Sequence, residues 1–261
     1  MPAVDLGAIH RRDRRVVAAG LVGITALSWA YVVYLALHMS STLPTSAMAM
    51  PRWQPWGAVE FALMALMWAV MMVAMMVPSA SPMILTFTTV QRDRLAQGNA
   101  VVPTSIFLAG YVLAWSAFSL IATLAQWGLH QAALLSPMMV ATSPVSGGLL
   151  LIAAGAYQGS RLKNVCLSKC RTPLGFLLTE WRDGHRGALL MGLRHGAFCT
   201  GCCWALMALL FVGGVMNLLW VAAIAAFVLI EKIAPQGWPV ARVAGLSLVT
   251  WGGWQLLGAI F

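Results

Sequence analysis

Apolar runs recur along the chain with nearly all the charged residues confined between them, and this alternation decides what the sequence can become. A hydrocarbon core about 30 Å thick requires roughly 20 apolar residues of each spanning helix. Seven runs meet or approach that length: Val16 to Leu37, Ala58 to Val77, Ser105 to Trp127, Val145 to Gln158, Gly196 to Val212, Val215 to Ile230 and Val240 to Ile260. Of 261 residues only 9% are charged and 61% are hydrophobic, whereas a soluble domain carries about a quarter charged residues. The reading is an all-α, polytopic transmembrane helix bundle of about seven spans. It forms a single integral membrane domain over residues 1–261 with the lipid bilayer as its first partner.

The placement of cations orients the bundle. Four Arg precede the first run, and Arg92, Arg94, Arg161, Lys163, Lys169, Arg171, Arg182, Arg186, Arg194, Lys232 and Arg242 follow on the same side, leaving Arg52 in the opposite loops. Cationic loops stay cytoplasmic, so the N-terminus is expected inside, the C-terminus outside, and the protein multi-pass in a bacterial inner membrane. A net charge of +9 then reads as orientation and not as a nucleic-acid footprint. The first run exceeds the 7–15 residues of a secretory h-region. It is expected to stay as a span, although Ser46-Ala47-Met48-Ala49 has the small residues of a cleavage site. Pro78 and Pro82 are expected to close the second helix, with residues 83–90 lying along the interface. Gly213-Gly214 should turn the chain back and bring Glu231-Lys232 beside Arg194-His195.

All five cysteines fall between Cys166 and Cys203. The expected cytoplasmic side is reducing, so these thiols are free for metal or redox chemistry. Residues three and four apart share a helix face, which puts His195, Cys199, Cys202 and Cys203 on one stripe extended by Met191 and Met207. Cys166 and Cys170 sit in the adjoining loop, able to fold over it. Taken singly, a buried Cys is a small hydrophobe; the clustering is what argues for a site.

A second stripe, Glu60, Met64, Met67, Met71 and Met75, runs along the second helix, with Met72 and Met76 beside it. Thioether sulfur suits Cu(I), but Met is also a flexible core filler, and Glu60 can be explained by the interface alone. Further soft donors are His38, Met39, Met48, Met50, His130, Met138 and Met139. Phosphate-binding, dinucleotide-binding, zinc-protease and serine-hydrolase motifs are missing, and the last run lacks the Lys that a retinal Schiff base needs.

The chain resembles a bacterial family of predicted metal-binding integral membrane proteins of unknown function. The resemblance rests on Met71 to Ser79, on Tyr157-Gln158 with Lys163 and Cys166-Leu-Ser-Lys-Cys170, and on Gly201-Cys202-Cys203-Trp204. It continues through Phe211, Gly213 to Asn217 and Glu231-Lys232. It implies a polytopic fold and metal binding, with Met71, Met72, Met75, Met76, Cys166, Cys170, Cys199, Cys202, Cys203 and Glu231 as the carried-over positions. It does not name the metal; copper follows from the sulfur-rich donors. The leading expectation is Cu(I) handling or transfer through Met and Cys ligands, with a soluble or membrane protein as partner. The alternatives are a metal- or thiol-dependent membrane oxidoreductase, with Glu231 or His195 relaying protons, and a subunit of a larger membrane complex.

Overall fold

The computed structural model describes residues 6–42, 56–98, 101–132, 143–234 and 237–260, and among these there is no strand. The helices are α1 (Leu6–Thr42), α2 (Ala58–Ala96), α3 (Thr104–Gln131), α4 (Pro144–Gln158), α5 (Arg161–Arg171), α6 (Pro173–Glu180), α7 (Gly184–Ala208), the single turn α8 (Leu210–Gly213), α9 (Leu218–Ile233) and α10 (Gly237–Ile260). Four stretches are long and apolar enough to cross a membrane: Arg12–His38, Ala58–Leu95, Thr104–Gln131 and Gly184–Gly213. Of the other expected spans, α4 and α9 have 15 and 16 residues, short of the roughly 20 that a full crossing takes. Arg242, Gln255 and several Gly and Trp dilute α10. Apolar side chains such as Leu27, Leu63, Ile121, Leu219 and Leu246 point outward from the bundle.

The second helix corrects one expectation. It does not end at Pro78; α2 runs for 39 residues with both prolines inside it. An interior proline leaves the carbonyl four residues back without its helical donor, which here means those of Ala74 and Pro78. Both find replacements. The Trp29 indole on α1 donates to the Ala74 carbonyl at 3.0 Å, and the Ser81 hydroxyl donates to the Pro78 carbonyl at 2.7 Å. The helix therefore continues through the prolines, and residues 83–90 belong to it instead of forming an interfacial segment.

Close crossings of small residues organise the rest. The Tyr111 and Phe107 backbone of α3 lies against Gly196 and Gly192 of α7, and a Cβ at Gly192 would collide with the Phe107 carbonyl. At the far side α4 meets α10 in the same way, with a Cβ at Gly155 falling 2.6 Å from the Gly245 carbonyl. Small residues let helix backbones approach this closely where no hydrophobic drive exists between apolar faces. The turn at Gly213-Gly214 is where the sequence puts it. Gly214 takes φ 94, a conformation that glycine adopts without strain, and the Asn217 side chain caps α9 by accepting from the Trp220 amide at 3.2 Å. The long fourth loop, in contrast, is helical: α5 and α6 fill it, and α7 begins at Gly184 and not at Gly196.

Candidate metal centre

Three residues of α7 form the base of the site. Cys199, Cys202 and Cys203 are all buried, and His195 one turn earlier is 2% exposed. The Cys202 and Cys203 sulfurs are 3.2 Å apart, and the Cys202 thiol donates to the Cys199 carbonyl at 3.1 Å. Cys170 reaches them from α5, whose buried face is Lys163, Leu167 and Cys170, and its thiol interacts with those of Cys199 and Cys202. The pKa of Cys170 is pushed up, first by its hydrogen bond to Cys199. Cys166, one turn back, is half-buried and sits elsewhere: its sulfur lies against Gly201, where a Cβ would come within 2.8 Å. Burial raises its pKa as well.

Cys199 is the focus. Lys232, from the last turn of α9, places Nζ 2.9 Å from the Cys199 sulfur and 2.8 Å from the Ser79 hydroxyl of α2. The Tyr111 hydroxyl of α3 is 3.1 Å from the same sulfur and 3.1 Å from the Met76 carbonyl. Side chains of α3, α5 and α9 thus converge on one thiol of α7, and α2 holds two of them through Met76 and Ser79. The α3–α7 crossing is what allows it, since the contact at Gly192 and Gly196 puts Tyr111 directly beside Cys199. Phe107, Tyr111 and Phe176 surround the His195 ring, with centroids 6.2, 5.6 and 5.4 Å away. His195 Nδ1 has no hydrogen-bond partner among the described residues.

The other expected ligands fall in different places. Glu231 is fully buried and pairs with Lys163 at 2.6 Å; Lys163 also donates to the Gln158 side chain. Arg194 pairs with Glu180 near the surface. Glu60 is exposed in the first turn of α2, as an interfacial acid would be. Met64 is half-buried, and Met71 and Met75 are buried in the core. Of that helix, the part that touches the centre is Met76 to Ser79. His38 packs at a tilt against Tyr34 and His130 against Trp56, while Met48, Met50, Met138 and Met139 lie outside the described residues.

From sequence, Ser79 and Lys232 enter as motif positions, and Lys232 as a neighbour of His195, but neither is among the candidate ligands; Tyr111 has no assigned role. The available signal was the ionisable pair Glu231-Lys232 at the end of an apolar run, a position that an ion occupies only with a partner. Nothing in the sequence tells which of the two faces the thiols. Among the described residues no group of three or more His, Cys, Asp or Glu side chains is arranged as a ready metal cage. The thiols direct their hydrogen bonds to one another and to Lys232 and Tyr111.

Such a fold and site define a helical bundle that buries a sulfur centre on a single lysine. A family of copper chaperones, PpoB2, matches residues 65–255, and the chain belongs to that family. The match takes in every residue of the centre and supports the metal-binding character that the sequence motifs imply. No curated protein and no solved structure matches the chain.

Proposed function

We propose that the protein is a multi-pass membrane copper chaperone that carries Cu(I) as cargo on the thiols of Cys170, Cys199, Cys202 and Cys203 and passes it to a partner protein. The observation that carries this reading is the convergence of four thiols from two helices in a buried pocket, within a copper chaperone family. Thiolates are soft donors that Cu(I) prefers, and a carrier needs such donors without a rigid cage that would retain the ion. Met71 and Met75, buried on α2 above the Ser79 contact, supply thioethers on the approach to the thiols. The topology proposed is about seven membrane-inserted segments, the four full-length spans with the shorter α4 and α9 and the diluted α10 inserted beside them, the N-terminus cytoplasmic and the membrane a bacterial inner one. The cation distribution and the outward apolar belt support it.

A dithiol oxidoreductase is the second reading. Its pair would be Cys199 and Cys202, three residues apart on α7 with interacting thiols, and not the adjacent Cys202 and Cys203, whose Cα atoms about 3.8 Å apart fall below the roughly 4.4–6.8 Å a disulfide spans.

Competition for Cu(I) between detergent-purified protein and a chromophoric Cu(I) chelator tests the proposal. The wild type should hold one Cu(I) per chain, and the C199S/C202S/C203S variant should lose at least 100-fold in affinity. Undiminished binding by the triple variant, or none by the wild type, overturns it.

A further inference from the structure

The centre contains a positive charge that no carboxylate neutralises among the described residues. Glu231, next in sequence, is committed to Lys163. Lys232 instead has Ser79 and Cys199 at hydrogen-bond distance. Cys202, Cys203 and Tyr111 are near enough to interact with its charge, as are Cys170 and His195.

We propose that Lys232 sets the charge selectivity of the site, admitting a monovalent soft cation and rejecting divalent ones such as Zn(II). This rests on the copper-carrier reading above. Sulfur donors alone do not make the distinction, because thiolates bind Cu(I) and Zn(II) alike. Four cysteines within reach of one another are also the donor set of a structural zinc site.

A fixed ammonium changes the balance. Two thiolates, one Cu(I) and the ammonium sum to zero charge, whereas the same two thiolates with Zn(II) and the ammonium leave a net positive charge buried in the bundle. Coulomb repulsion from Lys232 is twice as large for a divalent ion at the same place, and the low dielectric of the interior leaves that difference little screened. Offsetting it with a third thiolate would mean ionising another buried thiol and gathering three sulfurs around one ion. The present hydrogen bonds of Cys202 to the Cys199 carbonyl and to Cys203 oppose that gathering. Ser79 completes the device. Its hydroxyl donates to the Met76 carbonyl at 2.8 Å and accepts from Lys232, which anchors the ammonium to α2 on one side while it faces sulfur on the other.

The test measures Cu(I) affinity by chelator competition and Zn(II) affinity by displacement of Co(II), followed through its thiolate charge-transfer band. Wild type, K232R and K232M are compared in detergent. In K232M the affinity for Zn(II) relative to Cu(I) should rise tenfold or more, while K232R keeps the wild-type ratio. A K232M ratio within twofold of wild type overturns the inference while leaving the copper reading intact. A wild type that binds no Cu(I) overturns both. If K232M does not fold, K232Q removes the same charge and is read by the same criteria.

Discussion

Two lysines are buried a few ångströms from the same helix end, and their partners differ in kind. Lys163 on α5 is fully enclosed and faces the carboxylate of Glu231 and the amide of Gln158. Lys232, on α9, faces a thiol and a hydroxyl. In the first, charge is met by opposite charge. The second leaves an ammonium against sulfur, whose charge state a metal can take over. Burial of an ion is therefore not enough to mark a functional site; what marks it is a partner with chemistry of its own.

The largest effect expected from breaking this contrast is E231Q. Removing one member of a buried pair strands the other, at about 3–5 kcal/mol, and the melting temperature in detergent should fall sharply. The double variant K163M/E231L should recover most of that loss. K232M should be milder, since Ser79 still donates to Met76 and Cys199 is left as a neutral thiol. Equal losses in E231Q and K232M would erase the distinction between the two lysines.

The next contrast is between crossings. G192A and G155A should each destabilise by about 1–3 kcal/mol through overpacking. Only G192A should also weaken Cu(I) binding, because only that crossing aligns Tyr111 with Cys199. The smallest effect concerns Cys166. Burial raises its pKa, so its thiolate forms at higher pH than in a free cysteine. Alkylation of Cys166 in a background lacking the other four cysteines should show a midpoint shifted upward from about 8.5.

Much of the architecture was legible because its signals are local. Apolar length announced the main helices, the Gly213-Gly214 pair announced the turn, and three- and four-residue spacing put His195 and the three cysteines on one buried stripe. What the sequence could not reveal depends on partners distant in the chain. The continuation of α2 past Pro78 needs the Trp29 indole, 45 residues away. The sequence of α5 is polar and resembles a linker until its Lys163 and Cys170 face is seen against α7 and α9, and α6 is apolar but has only eight residues. The methionine stripe has three- and four-residue spacing like the cysteine stripe, yet Glu60 at its head is exposed, and the hydrogen bonds that tie α2 to the centre come from the Met76 carbonyl and Ser79. Periodicity gives a face; it does not say what the face meets. Glu231 and Lys232 were read as a pair returning beside His195, and only the turn of α9 assigns Glu231 to the ion pair and Lys232 to the thiols.

X-ray absorption at the copper K edge of the Cu(I)-loaded protein tests the central claim most directly. The account predicts a low-coordinate first shell of sulfur alone, retained in M71L/M75L and lost in C199S/C202S/C203S. A first shell of nitrogen or oxygen, or a sulfur shell that persists without those three cysteines, would contradict it.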